Sequence, residues 1–142
     1  MSKTVIYVYG TLRPGLPELT EIPGVLYDLG WFPGVNLVDP EKDQSTFFAE
    51  RVEVDDADLY RVDNYEGYNE KNPASSLFKR VPFGDGFVYV YNDDLSSLNS
   101  TKRVSSGDWL KYKGQSVGMS AGLLNLKKIE GKVFQTTEEE AA

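Results

Sequence analysis

Apolar and aromatic residues fall along this chain in short runs separated by turn formers. In "TVIYVYG" (4–10) both alternating sets, Val5, Tyr7 and Tyr9 on one side and Ile6 and Val8 on the other, are apolar or aromatic. This pattern predicts a strand over residues 3–9 that is covered on two faces. The run stops at Gly10, and Pro14 and Gly15 follow. "LPELTEIPG" (16–24) reads as a polar link, and "VLYDLGWFPGVNLV" (25–38) as two short strands around Gly30 with a bend at Pro33 and Gly34. "STFFAERVEV" (45–54) alternates as a strand does. "DDADLYRVDNYEGY" (55–68) opens on candidate N-caps, Asp55 and Asp56, and closes near Gly67, so a short helix is predicted. "SLFKRVPF" and "GFVYVYN" flank "GDG", a hairpin signal. "DDLSSLNS" (93–100) suggests another short helix, and "SSGDWLKY" (105–112) a loop and strand.

Sequential strands without long helical crossovers predict an α+β, mostly β fold: a twisted, partly closed antiparallel or mixed sheet with one or two short helices. Residues 115–134 are ambiguous. Leu123, Leu126 and Ile129 have helical spacing, whereas Gly118, Gly122 and Gly131 argue against a long helix. The final "TTEEEAA" (136–142) reads as a solvated, disordered tail.

Composition narrows the chemistry. A chain of 142 residues fits one domain. It contains neither cysteine nor histidine, so thiol and imidazole catalysis and nearly every zinc constellation are excluded. A proton mover must then be a carboxylate, tyrosine or lysine. No D-x-D-x-D-G calcium loop is present. The net charge of −7 disfavours nucleic acid and anionic membranes as partners. No long apolar run is present, and the N-terminus lacks a leader pattern, so a cytoplasmic location is expected.

Two places stand out for chemistry. The loop at Gly10 has neither the G-x-G-x-x-G spacing nor a following G-K-[ST], so it is no known phosphate cradle. It can expose successive N–H groups that bind a carboxylate or a developing oxyanion, or it can be a plain tight turn. In the predicted helix, Val62, Asp63 and Glu66 share the face of Leu59, which turns Glu66 inward. Burial and the negative end of the helix dipole both raise a carboxyl pKa and make it a stronger base. Read from the helix alone, an inward base stands level with the alternatives, a salt bridge to Arg80 or a helix-end register that leaves Glu66 in water. Asp63 reads as a structural hydrogen-bonding group. Tyr68, Tyr89 and Tyr91 suit a pocket or plain sheet packing, and Arg80 a substrate anchor or a partner for an acid. Glu50, Glu53, Asp55, Asp58, Asp93 and Asp94 read as surface charge.

These segments together resemble a known family. "VYGTLRPG" (8–15) is similar to the signature loop of the γ-glutamyl cyclotransferase-like, or AIG2-like, proteins. "LYDLGWFPGV" (26–35), "LYRVDNYEGY" (59–68), "SLFKR" (76–80), and "VYVYN" with "SGDW" (106–109) follow in the family's order. The resemblance covers residues 4 to about 113 and implies a small mixed β-barrel with a cavity at one end and no metal or cofactor. It also implies a reaction. The glutamate matching Glu66 takes a proton from the α-amine of a γ-glutamyl amine or small γ-glutamyl peptide. The amine then attacks the substrate's own γ-carbonyl and releases 5-oxoproline. The loop matching Tyr9, Gly10, Thr11 and Leu12 holds the substrate, and Tyr68, Phe78, Arg80 and Tyr91 join the substrate-binding set. Three departures are visible, one being that residues 115–142 extend past the matched region. Phe78 stands where several members carry a tyrosine, and the stretch from Gly15 to Val25 lacks the usual helix after the signature loop.

The expected organisation is therefore a cyclotransferase-like domain over residues 1–114 and an extension over 115–142 that is ordered only in part. The alternative function is a module that binds a small metabolite or partner in the same cavity without turnover. An open edge strand near residues 25–38 suits a homodimer as well as a monomer.

Overall fold

The computed structural model describes residues 3–124. Leu126, Ile129 and the tail 136–142 lie outside the described residues. In chain order the elements are β1 (Lys3–Val8), β2 (Thr20–Asp28), β3 (Pro33–Leu37), β4 (Thr46–Asp55), α1 (Asp56–Glu66), β5 (Phe78–Phe83), β6 (Gly86–Tyr91) and α2 (Trp109–Lys113). Short 3₁₀ turns occupy Pro73–Ser75, Ser100–Lys102 and Ala121–Leu124.

The strands form one mixed sheet in the order β3-β2-β4-β1-β6-β5. All neighbours run antiparallel except β1 and β6, which are parallel with Ile6 opposite Phe87. The sheet curls into a half-barrel. Asn36 of β3 ties the curl to the segment after β6: its side chain accepts from the Leu95 amide at 2.7 Å and donates to the Asp93 carbonyl at 3.0 Å. β1 sits inside this sheet, which explains its two apolar sets. Tyr7 and Tyr9 join the barrel core with Phe47 and Trp109, while Ile6 and Val8 pack beneath α1 with Val62.

Helix α1 follows its sequence signals. The Asp55 carboxylate accepts from the Asp58 amide at 2.9 Å, satisfying one orphan N–H of the first turn. Gly67 ends the helix at φ 69°, a left-handed conformation that a Cβ would strain.

Four segments depart from the sequence-based expectation. Residues 20–24 belong to strand β2 rather than to a polar link. This strand bends at Gly24, where its ladder passes from β4 to β3. A Cβ there would lie 2.7 Å from the Phe47 ring, so the bend needs glycine. Pro33 and Gly34 begin β3, and the hairpin turn comes earlier, closed by the Leu29 amide on the Phe32 carbonyl at 3.0 Å. Residues 93–98 are turns, because the Asp94 side chain takes the Ser96 amide at 2.9 Å in a local loop. Trp109–Lys113 is helix, not strand: Asp108 caps it by accepting from the Lys111 amide, and Gly114 closes it. Among the described residues no helix is long and apolar enough to cross a membrane.

Candidate active site

A cavity of about 110 Å³ opens between the end of β1, the β2–β3 turn and the last turn of α1. Its wall includes Tyr9, Gly10, Thr11, Leu12, Glu66 and Phe78 from the sequence-based set. Tyr7, Tyr65, Leu77, Tyr89 and the Trp31–Phe32–Pro33 run complete much of the rest. Tyr68, Arg80 and Tyr91 lie outside the cavity wall. Arg80 stacks over the rings of Tyr68 and Phe87, at 5.4 and 5.1 Å, and faces the carboxylates of Asp63 at 3.6 Å and Glu70 at 3.5 Å. Tyr91 packs edge-on behind Phe78 at 5.2 Å.

The loop after β1 is a tight turn, closed by the Arg13 amide on the Gly10 carbonyl at 3.1 Å. Gly10 is needed for a reason its sequence context did not reveal. Its φ is not positive; instead, a Cβ would lie 2.5 Å from Cγ of Pro33. The close approach of the β2–β3 turn, rather than backbone freedom, demands glycine.

The loop's carbonyls and amides have different fates. The Thr11 carbonyl accepts from the Ser120 amide at 2.8 Å, and the Arg13 carbonyl from the Gly118 amide at 2.7 Å. Among the described residues no acceptor meets the N–H groups of Gly10, Thr11 and Leu12. Residues 115–124 therefore strap the loop from behind and leave these donors unused. The strap is held at its other side by Tyr65, whose hydroxyl donates to Ser120 Oγ at 2.9 Å and lies 2.6 Å from Thr11 Oγ1. Gly118 fits so closely that a Cβ would stand 2.3 Å from the Thr11 carbonyl oxygen.

A buried ionic network fixes the loop's exit. Arg13 is 4% exposed; its Nε meets Glu50 at 2.8 Å and its Nη1 meets Asp108 at 2.7 Å. Glu50 is fully buried and also accepts from the amides of Gly15 at 3.1 Å and Leu16 at 2.5 Å. Glu50 is thus no surface charge, and neither is Asp58, which is buried against Arg61. Sequence reasoning missed Arg13 altogether, although the signature loop contains it. These bonds pin residues 13–16 directly after the loop.

Glu66 is the acid of the cavity. It is half-buried at the C-terminal end of α1, and among the described residues it makes no ion pair or side-chain hydrogen bond. Burial, with the nearby Asp63 charge as a lesser cause, raises its pKa from the ordinary 4.5 to about 8. Asp63 does not share this freedom. It accepts from the Tyr89 hydroxyl at 2.5 Å and faces Arg80, a structural placement. Tyr89 passes the connection on, since its carbonyl accepts from the Tyr9 hydroxyl at 2.6 Å. A single basic carboxylate thus faces a short run of unused backbone donors inside one small hollow. Among the described residues no cluster of three or more acidic, histidine or cysteine side chains is placed to hold a metal.

A family model described as "Gamma-glutamyl cyclotransferase, AIG2-like" matches residues 6–111. The chain belongs to this family. The matched span includes the signature loop, α1 and the β5–β6 hairpin, and so every wall of the cavity described above. Among solved structures, the chain is similar in fold to the uncharacterized protein PH0828 from Pyrococcus horikoshii. That similarity has 22% identity, covers 78% of this chain and 92% of the other, and has a TM-score of 0.53. None of the curated proteins matches the chain.

Proposed function

We propose that this AIG2-like protein is a cyclotransferase that releases 5-oxoproline from a γ-glutamyl amine or small γ-glutamyl peptide. The observation that carries the reading is Glu66, a carboxylate of raised basicity that shares the cavity wall with Gly10–Leu12; among the described residues neither it nor their amides have a hydrogen-bond partner. In this reaction the nucleophile is already in the substrate. Its α-amine needs only to be folded against its own γ-carbonyl and relieved of a proton, so proximity supplies much of the rate. Glu66 takes the proton, and the loop N–H groups hold the substrate and stabilise the oxyanion that forms. This is a division of labour that a protein without histidine or cysteine can perform.

The test is a screen of γ-glutamyl compounds for 5-oxoproline release, with Glu66→Gln as control. Glutamine keeps the shape but cannot accept the proton. The expected result is a loss of at least about a hundredfold in turnover, the usual reach of a positioned base. Normal turnover by the variant would remove Glu66 from the mechanism. A second reading, binding without turnover, is favoured by Phe78, which is 3% exposed and brings no hydroxyl to the cavity wall. Tight binding of γ-glutamyl compounds without product would establish it instead.

A further inference from the structure

The base and the backbone donors of the cavity are carried on separate elements. Glu66 ends α1, and the amides of Gly10, Thr11 and Leu12 belong to the loop after β1. In a cyclisation a proton leaves the α-amine at the first while charge gathers on the γ-carbonyl oxygen at the second. Both must therefore keep their places around one small substrate. A displacement of about 1 Å is enough to cost about a hundredfold in rate.

A single hydroxyl bridges the two elements. Tyr65 immediately precedes Glu66, and Thr11 is the middle residue of the three loop donors. Both line the cavity. Their side-chain oxygens lie 2.6 Å apart, although the residues stand 54 positions apart in the chain. The Tyr65 hydroxyl donates its one proton to Ser120 Oγ at 2.9 Å, so in the shorter contact Thr11 is the donor and Tyr65 the acceptor. Ser120 returns to the loop through its own amide, which donates to the Thr11 carbonyl at 2.8 Å. Helix, loop and strap thus each supply one member of a closed ring of hydrogen bonds.

The surroundings strengthen this ring. Leu12, Val62 and Leu124 are buried in the apolar cluster against which Tyr65 packs. Hydrogen bonds in such a place meet less competition from water than bonds at the surface. Packing accounts for an aromatic ring at position 65, and a phenylalanine would supply it equally well. The hydroxyl is the part that packing does not explain.

We propose that Tyr65 is a positioning residue, whose hydroxyl bond to Thr11 sets the distance between the Glu66 carboxylate and the loop donors. The proposal rests on the cyclotransferase reading, because placing base against donors is what the tie serves.

The experiment removes one hydroxyl at a time from the full chain. Tyr65→Phe keeps the ring and its packing, and Thr11→Val keeps the shape of threonine. Activity is read as 5-oxoproline release from whichever of γ-glutamylglycine and γ-glutamylbenzylamide the wild type turns over faster. Each substitution should lower kcat about tenfold and leave KM within about a factor of two, the pattern of lost reacting geometry rather than lost binding. The double variant should be no slower than either single one, since both changes remove the same bond. Thr11→Ser, which retains a hydroxyl, should recover most of the rate that Thr11→Val loses. An unchanged kcat in Tyr65→Phe, losses that multiply in the double variant, or a serine as slow as the valine overturns the tie. If the wild type releases 5-oxoproline from neither compound, the cyclotransferase reading falls, and hydrogen exchange decides whether the tie holds loop to helix. The Ser120 amide, bonded to the Thr11 carbonyl, should then exchange at least about tenfold faster in Tyr65→Phe and in Thr11→Val, while the β1 amides keep their rates. Equal Ser120 exchange in wild type and variants overturns it.

Discussion

At the scale of single residues the decisive fact is a carboxyl group held where its charged form is disfavoured. The folded protein binds the Glu66 proton more tightly than the unfolded chain, in which the group titrates near its ordinary 4.5. Protonation therefore favours the fold. That contribution is full below about 4.5 and is lost as pH rises through about 8. Glu66→Gln removes the titration, so the variant should unfold at higher denaturant than the wild type above pH 8. The advantage should be about 3 kcal/mol, less than the full linkage value because water reaches the group through the cavity. Near pH 4.5 it should vanish, and parallel denaturant melts at the two pH values check this. Catalysis should follow the opposite course, because the base works only when ionised. kcat/KM should climb with pH toward a plateau above about 8, and carbon NMR of the Glu66 carboxyl in substrate-free protein should show the same midpoint. Glu66 was legible in the sequence because helical spacing from Leu59 and the closing Gly67 place it. The partners of Arg80 and Glu50 were not. Long charged side chains choose among several acids by distances that only the folded sheet defines.

Elements show the same division. β1, β4, α1 and the β5–β6 hairpin were readable because alternation, caps and turn glycines all point one way in each. The start of β2 was hidden by polar outward residues and Pro23, and α2 is a five-residue helix whose main signal is one capping aspartate. The strap over residues 115–124 left only an ambiguous trace, a helical spacing that starts at Leu123 and that Gly118 and Gly122 contradict. It is visible only as glycines that make room for a neighbouring backbone. Gly118→Ala tests its importance. The added Cβ must push against the Thr11 carbonyl, 2.3 Å away, and so against the loop that carries the open amides. Stability should fall by about 1–3 kcal/mol, the usual cost of overpacking, and 5-oxoproline release should fall by more than the fraction unfolded explains. Thermal melts and rates on the same preparation separate the two effects.

For the whole molecule, the sheet order does the assembling. Placing β6 parallel to β1 brings the β5–β6 hairpin to the strand that ends in the loop, and α1 packs across that strand's outer face. The order of motifs carried this arrangement in the sequence, although no local pattern states that β1 and β6 pair. Overall charge sets a further expectation. A γ-glutamyl amide of a neutral amine has no net charge, whereas a γ-glutamyl peptide carries one negative charge toward a molecule of net charge −7. If the cyclotransferase proposal holds, raising ionic strength from low to physiological should increase kcat/KM for a γ-glutamyl peptide and leave that for a γ-glutamyl amide of a neutral amine nearly constant, since screening relieves only the charged encounter. Initial rates across a salt series check it.

The strap also bears on how the protein comes into being. During synthesis the signature loop is made well before Gly118 and Ser120, so it waits for the whole sheet between them before its carbonyls find these donors. Closing a contact between such distant points is entropically slow. A chain still emerging from the ribosome can pair strands and wind its helix, yet its first loop stays unstrapped until residues 115–124 have been made.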